Sequence, residues 1–288
     1  MKFNVRKTSL ALPLLFCSLG GAPLALLAQS GADGPPNILQ IQREYTKPGK
    51  GGALHEKTES AFIAAAKAGK APMHYFALTS ISGPDRALFL SGYENLAAME
   101  AEHKAIGPAL GAAMDRANVA DGDLLSSADA SIWKLAPEQS MNTHNLTGER
   151  YMELSLYKIR PGHEAEWDEA VKMVKAGYQK GIPEASWAMF RELYGVPGGE
   201  YLVIQAAKSA AQLDSRLMAG PKFVAAMGES GMKKLDELSA AAIESEQTNL
   251  FAINPKMSLP PDSWVQAEPD FWAPKPAAVK KPAVKPAP

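Results

Sequence analysis

Gly107-Pro-Ala-Leu-Gly-Ala-Ala-Met114 and Gly220-Pro-Lys-Phe-Val-Ala-Ala-Met227 share five of eight residues at an offset of 113. The chain carries its own duplicate. Pro48-Gly49 and Pro161-Gly162 stand at the same offset, Ala87 to Leu90 matches Tyr201 to Ile204 at 114, and Trp133 to Pro137 matches Phe251 to Pro255 at 118. Four blocks in one order, present only twice and so far apart, indicate a duplicated domain and not a solenoid, whose repeats run to about 20–50 residues.

Each unit can then be read against its twin. In the second, Met152, Leu154 and Leu156 alternate with Glu153, Ser155 and Tyr157, which predicts a strand. Pro161-Gly162 ends it, and Trp167, Ala170, Val171, Val174 and Tyr178 recur at helical spacing within 164–180. Strand-like runs at 186–193 and 201–206 flank a Gly-rich turn. A helical region at 210–244, broken at Gly220-Pro221, leads to a last strand at 248–253. The first unit repeats the order with strands at 38–45, 74–81, 87–92 and 130–135 and helices at 55–68 and 96–118. The fold class is therefore α+β, with two tandem ferredoxin-like βαββαβ units, at 36–138 and 150–258, joined by a polar linker at 139–149. A four-stranded sheet with both helices on one face must cover the other, and the second copy is the simplest cover. The expectation is an intrachain pseudo-dimeric α+β barrel, packed sheet to sheet.

On this element order, the Pro-Gly after each first strand and the Gly-Pro in each second helix, the chain resembles the dimeric α+β barrel superfamily across residues 37–257. That group includes antibiotic-biosynthesis-monooxygenase-like, NIPSNAP-like and haem-degrading proteins. The resemblance implies the barrel; for activity it spans cofactor-free monooxygenases, isomerases and proteins without known chemistry, so fold does not supply function. In haem-degrading members an amide on the first strand, an aromatic residue near the end of the third and a histidine on the next helix form the site. Gln42, Tyr93 and His103 stand in similar places, with Gln for the usual Asn and Tyr for the usual Trp. No cofactor is predicted, with haem and flavin left open.

The ends differ in kind from the middle. Lys2, Arg6 and Lys7 precede an apolar run from Leu10 to Leu27 and a small residue at Ala28, the layout of a signal peptide (1–28). The expected location is secreted or periplasmic, with no membrane span once the segment is removed. The chain's one cysteine, Cys17, lies inside it, so no disulfide or thiolate chemistry is expected of the rest. Residues 259–288 read as a disordered tail rich in Pro, Ala and Lys. Between Gln29 and Trp272 there are 23 Lys plus Arg against 31 Asp plus Glu, an acidic balance that argues against nucleic acid as a partner. The four lysines of the tail leave a contact with an anionic envelope surface open, and monomer and homodimer are both compatible with the sequence.

For a site, the alternation on the first strands is decisive. If Met152, Leu154 and Leu156 face the helices, then Glu153, Ser155 and Tyr157 face the space between the sheets, with Gln40, Gln42 and Glu44 opposite. Polar groups enclosed there need partners or a ligand. Trp187, Phe190, Tyr75 and Phe76 are candidate aromatic walls. The leading expectation is a small apolar or aromatic ligand bound by Gln40, Gln42, Glu44, Ser155, Tyr157 and Trp187. The enzymatic version assigns His74, His103, Glu153 and Arg191 as catalytic, and a third reading is a scaffold that binds a protein partner on its helical faces. His55 with Glu56 and Glu59, and His163 with Glu164 and Glu166, imitate metal spacings but are read as helix-start charges, and no metal site is expected.

Overall fold

A computed structural model describes residues 34–273. The expected signal peptide and the last fifteen residues lie outside the described residues. The strands are β1 (Ile38–Thr46), β2 (Tyr75–Ser80), β3 (Arg86–Tyr93), β4 (Leu125–Leu135), β5 (Tyr151–Ile159), β6 (Ala188–Tyr194), β7 (Glu200–Ala207) and β8 (Ile243–Leu259). Between them run α1 (Ala53–Gly69), α2 (Leu96–Gly122), α3 (Glu164–Gly181), α4 (Ala210–Met218) and α5 (Gly220–Ala242); α6 (Asp262–Ala267) and α7 (Pro269–Trp272) follow the last strand. No helix among the described residues is long and apolar enough to cross a membrane.

Local chemistry explains the boundaries. The side chains of Asn95 and Ser209 accept hydrogen bonds from the backbone N–H groups of Ala98 and Gln212, capping α2 and α4. Glu164 and Glu166 sit in the first turn of α3 and Lys180 in its last, in keeping with the helix dipole. Pro221 opens α5, where its missing N–H costs nothing. The non-helical residues fall a little farther on, at Gly111 in α2 and Gly228 in α5.

The eight strands close into one antiparallel barrel in the order β1-β3-β2-β8-β5-β7-β6-β4. Each half contributes its strands in the same internal order, and the halves meet edge to edge through β2 with β8 and β4 with β6. The expected barrel is closed by these seams, so neither sheet is left with a free edge. Gly195, in the β6–β7 turn at φ +82°, lies so close to the Ala130 carbonyl that a Cβ there would overlap it, which lets β6 draw up against β4.

Closure also reverses the expected facing. Leu39, Ile41, Met152 and Leu154 point into the lumen, where they pack with Leu78, Leu90, Trp133, Phe190, Ile204 and Phe251. Gln40, Gln42, Glu44, Glu153, Ser155 and Tyr157 therefore face outward, toward the helices, since successive strand residues alternate sides. A small eight-stranded barrel is filled by its own side chains, so the apolar set goes inside. The outer face is only partly covered and can take polar residues. There, α1 and α2 pack on Tyr75, Ala77, Ala87 and Phe89, while α3 and α5 cover Met189, Tyr201 and Trp187.

The expected tail starts too early. Trp264 and Trp272 stack at 5.9 Å, Trp272 reaches the lumen core, Arg150 lies over the Phe271 ring at 3.8 Å, and Arg150 pairs with Glu268 at 2.8 Å. These aromatic anchors fold residues 262–272 back over one end of the barrel. At the other end Arg43 pairs with Asp129, and Arg86 lies over the rings of Tyr45 and Phe251.

Candidate functional site

The end of the barrel beneath α6 holds a cavity of about 140 Å³. Leu39, Leu90, Met152 and Ile204 form its floor, and Tyr75, Phe76, Trp187, Phe190 and Trp264 its walls. An apolar cavity of about 150 Å³ is enough to take a benzene ring. One aromatic ring is thus the scale of ligand that this space accepts without rearrangement.

Three segments bring polar groups to its rim. The 139–149 linker supplies Thr143 and His144, the approach to β6 supplies Ser186, and the approach to β2 supplies His74. His144 Nδ1 lies 3.3 Å from the Ser186 hydroxyl and 3.4 Å from the Asn142 carbonyl, while its Nε2 lies 3.3 Å from Glu149 Oε1. Glu149 is buried, and its second carboxylate oxygen has no hydrogen-bond partner among the described residues. The buried Nδ1 of His74 is also unpartnered. The linker is held in place by paired backbone bonds between Met141 and Trp187 and by the Trp187 indole, which donates to the Gln139 carbonyl at 2.9 Å.

Of the expected catalytic residues, only His74 lines the cavity. His103 is exposed on α2, its ring edge-on to Tyr93 at 6.3 Å. Glu153 is half-buried on the outer face of β5, and Arg191 is exposed on β6. Among the expected ligand-binding residues Trp187 lines the cavity, as do the proposed walls Tyr75, Phe76 and Phe190. Gln40 instead lies 3.5 Å from the Tyr93 hydroxyl, Ser155 shares a hydrogen bond with Thr248 at 2.7 Å, and Tyr157 packs on Trp167. Gln42, Tyr93 and His103 all belong to the outer face, so they form no lumen site. His144 and Trp264 were missed because the linker and the C-terminal segment carry no periodicity that places them, and Ser186 because nothing in its strand-like run marks it as meeting His144.

Glu44 has a different fate. On the outer face of β1 it meets His55 and Glu59 from α1 and Asp121 from the end of α2, all four buried. His55 Nε2 lies 3.0 Å from Glu44 Oε2, 3.4 Å from Asp121 Oδ1 and 3.8 Å from Glu59 Oε1. Gln42 donates to Glu44 Oε1 at 2.7 Å, and the Thr58 hydroxyl donates to Asp121 Oδ1 at 2.6 Å. Burial, reinforced by the charges of Glu44 and Asp121, pushes the Glu59 carboxyl up to about 9. The Asp121 carboxyl is also raised, by burial above all. The reading of His55 and Glu59 as helix-start charges is corrected here, since both side chains turn inward under the sheet. His163 and Glu166, by contrast, stay partly exposed at the start of α3, 3.5 Å apart.

Compared with known proteins, the sequence matches no family model and no curated protein. The solved structures it resembles include monooxygenase-like and chlorite dismutase proteins of the dimeric α+β barrel kind. An anthrone oxidase-like protein matches with TM-score 0.49 and 10% identity over 80% of this chain and 94% of its own. A haem-binding protein from Thermus thermophilus matches at 0.44 and 14%, over 79% and 94% of the two chains. A mutant chlorite dismutase from Candidatus Nitrospira defluvii, solved with cyanide, matches at 0.42 and 7%, over 77% and 92%.

Haem does not fit the barrel-mouth cavity of this chain. Its volume suits one ring, a porphyrin carries four pyrroles, and among the described residues no lysine or arginine lines the cavity to meet propionates.

Proposed function

We propose that this chain is a tandem ferredoxin-like pseudo-dimer that takes up a small ligand, with a monocyclic or similarly compact apolar body and one polar group, in the mouth of its barrel. The observation that carries this reading is the cavity itself, apolar on floor and walls and edged by His74, His144 and Ser186. Such a division suits a ligand that is held by area and oriented by a few polar contacts. Fully burying one ring-sized apolar group stabilises by about 1.5–3 kcal/mol. The polar rim then decides which ring-bearing molecules stay.

The test is native purification followed by mass spectrometry of whatever the protein retains, together with calorimetric titration of the protein with the monocyclic probes phenol and benzyl alcohol. Binding that is unchanged when the mouth is filled by Ala188→Trp would sink the proposal. Export belongs to the same reading, and N-terminal sequencing of the protein recovered outside the cytoplasm checks it.

The row of Ser186, His144 and Glu149 favours one second reading. A hydroxyl, an imidazole and a buried carboxylate in line are the parts of an activated serine, here with the imidazole nitrogens used in the opposite sense from the usual triad. Under this reading the ligand is an ester of the same apolar body. Hydrolysis of phenyl esters that survives Ser186→Ala counts against it.

A further inference from the structure

The two halves of the barrel can be laid on one another by register. Glu44 faces Ala87 across the β1–β3 ladder, and Tyr157 faces Tyr201 across β5–β7. With Pro48-Gly49 matching Pro161-Gly162, Glu44 and Tyr157 are equivalent positions. On the helices that cover them, the buried pairs four residues apart are His55 with Glu59 on α1, and Trp167 with Val171 on α3. In the second half this space is filled by rings: Trp167 stacks on Tyr157 and on Tyr201, each at 5.2 Å. In the first half the same space holds an imidazole and three carboxylates.

A fold that packs this place with aromatic core in one copy does not need charge there in the other. Burying a carboxylate costs several kcal/mol unless it is paired or coordinates a metal. Among the described residues His55 is the one basic side chain within ion-pair distance of Glu44, Glu59 or Asp121. A single Nε2–H satisfies one acceptor, yet three carboxylate oxygens converge on it. Glu59, 4% exposed, leaves Oε1 with no hydrogen-bond partner while aiming it into the cluster. That orphaned oxygen marks something missing from the centre.

We infer that Glu44, His55, Glu59 and Asp121 form a structural site for one first-row divalent metal ion, of the Mn²⁺, Fe²⁺ or Zn²⁺ class. The four ligand atoms lie within 4.8 Å of one another. For metal–ligand bonds of about 2.0–2.2 Å, the edges of a tetrahedral or octahedral shell run from roughly 2.8 to 3.6 Å. The separations of 3.0, 3.4 and 3.8 Å around His55 Nε2 need only small closure to reach that range. One imidazole with three carboxylates is a hard set without thiolate, which selects this class over Cu⁺ or iron–sulfur clusters. Gln42 and Thr58 hold the outer carboxylate oxygens, the orienting contacts that metal ligands usually carry. Because the ligands come from β1, α1 and α2 and all are buried, the ion clamps both helices to the sheet and has no open face for substrate.

The site is closed, so the ion enters as the chain folds. The full-length protein is therefore stripped with chelator in denaturant, refolded with Mn²⁺ or Zn²⁺, exchanged into metal-free buffer and assayed for metal content and Tm. The expected result is one ion per chain, a Tm several degrees above protein refolded without metal, and a low-symmetry Mn²⁺ electron paramagnetic spectrum. Glu59→Gln keeps the shape and mimics the protonated carboxyl, so it folds without metal; it and His55→Gln are expected to retain less than a tenth of the metal. Glu166→Gln, partly exposed at the start of α3 in the other half of the barrel, serves as the control and retains all of it. Wild-type protein that folds but holds no stoichiometric ion overturns the inference, as does equal loading of Glu59→Gln. Phenol binding at the barrel mouth is read separately, so neither site's failure is mistaken for the other's.

Discussion

Glu44 on β1 and Tyr157 on β5 occupy equivalent positions on the outer face of the barrel, and each takes the company its partner strand allows. Ala87 leaves room beside Glu44, whereas Tyr201 fills the room beside Tyr157 and stacks with Trp167. The same backbone thus supports an aromatic core on one side and a charged cluster on the other. Trp167→Ala is expected to cost about 3–5 kcal/mol, as deletion of a buried large ring does. His55→Ala in metal-free protein leaves three carboxylates without their partner, and breaking buried pairs costs a similar 3–5 kcal/mol or so. The two losses differ in how they can be repaired. Adding Glu59→Gln to His55→Ala returns part of the stability in urea titrations, and strictly additive values would show that the two residues do not interact.

Phe190 is almost fully buried, at 1% exposure, between lumen core and cavity. Phe190→Ala should cost about 3–5 kcal/mol and enlarge the cavity by most of a ring. A ligand that binds only the folded state restores stability in proportion to its concentration over Kd. Toluene or indole at saturating concentration is therefore expected to raise the Tm of Phe190→Ala more than that of the parent.

Ala188 lies at the cavity, so a larger side chain there is aimed at the space itself. Ala188→Trp should abolish the calorimetric signal of phenol binding while the far-ultraviolet circular dichroism stays native. A parallel Val119→Trp, on an exposed face of α2, should leave the phenol-binding signal as it was.

Tyr93 donates to Glu102 at 2.9 Å beneath α2, and burial raises the Glu102 carboxyl against the lowering effect of that bond. A carboxyl whose folded pKa lies above its unfolded one is protonated more readily in the folded state. Its contribution is therefore favourable at low pH, and stability falls as pH rises from the unfolded pKa through the folded one. Glu102→Gln keeps an acceptor for Tyr93 and carries no charge. Its stability relative to the parent should grow as pH is raised from 4 toward 7 in chemical denaturation, and a constant difference would refute the assignment.

Gly195→Ala meets two obstacles, a left-handed φ of +82° and the carbonyl of Ala130. The first alone costs about 1 kcal/mol. Loss above that figure, with faster hydrogen exchange confined to β4 and β6, is the expected signature of a seam pulled open.

Much of the architecture was legible because duplication lets two weak patterns check one another. The alternation of Met152, Leu154 and Leu156 identified β5, and its twin run identified β1. The aromatic walls Tyr75, Phe76, Trp187 and Phe190 were also readable, as large apolar residues at strand positions. Which way those strands face was not. Alternation defines two sides but carries no label for inside, and only closure of the ring makes the apolar side the lumen.

The candidate sites divide in the same way. His55 and Glu59 are four residues apart, a spacing that puts them on one helix face, and sequence alone determined that much. Glu44 and Asp121 come from distant segments, and nothing in the chain's order announces that they meet His55 under the sheet. At the barrel mouth, His144, Glu149, Ser186 and Trp264 are likewise joined only by the path of the linker and the return of the C-terminal helices. Periodicity and turn chemistry are local and can be read in one dimension. Burial, partnership and the sign of a face depend on what packs against them, which is decided only when the barrel closes.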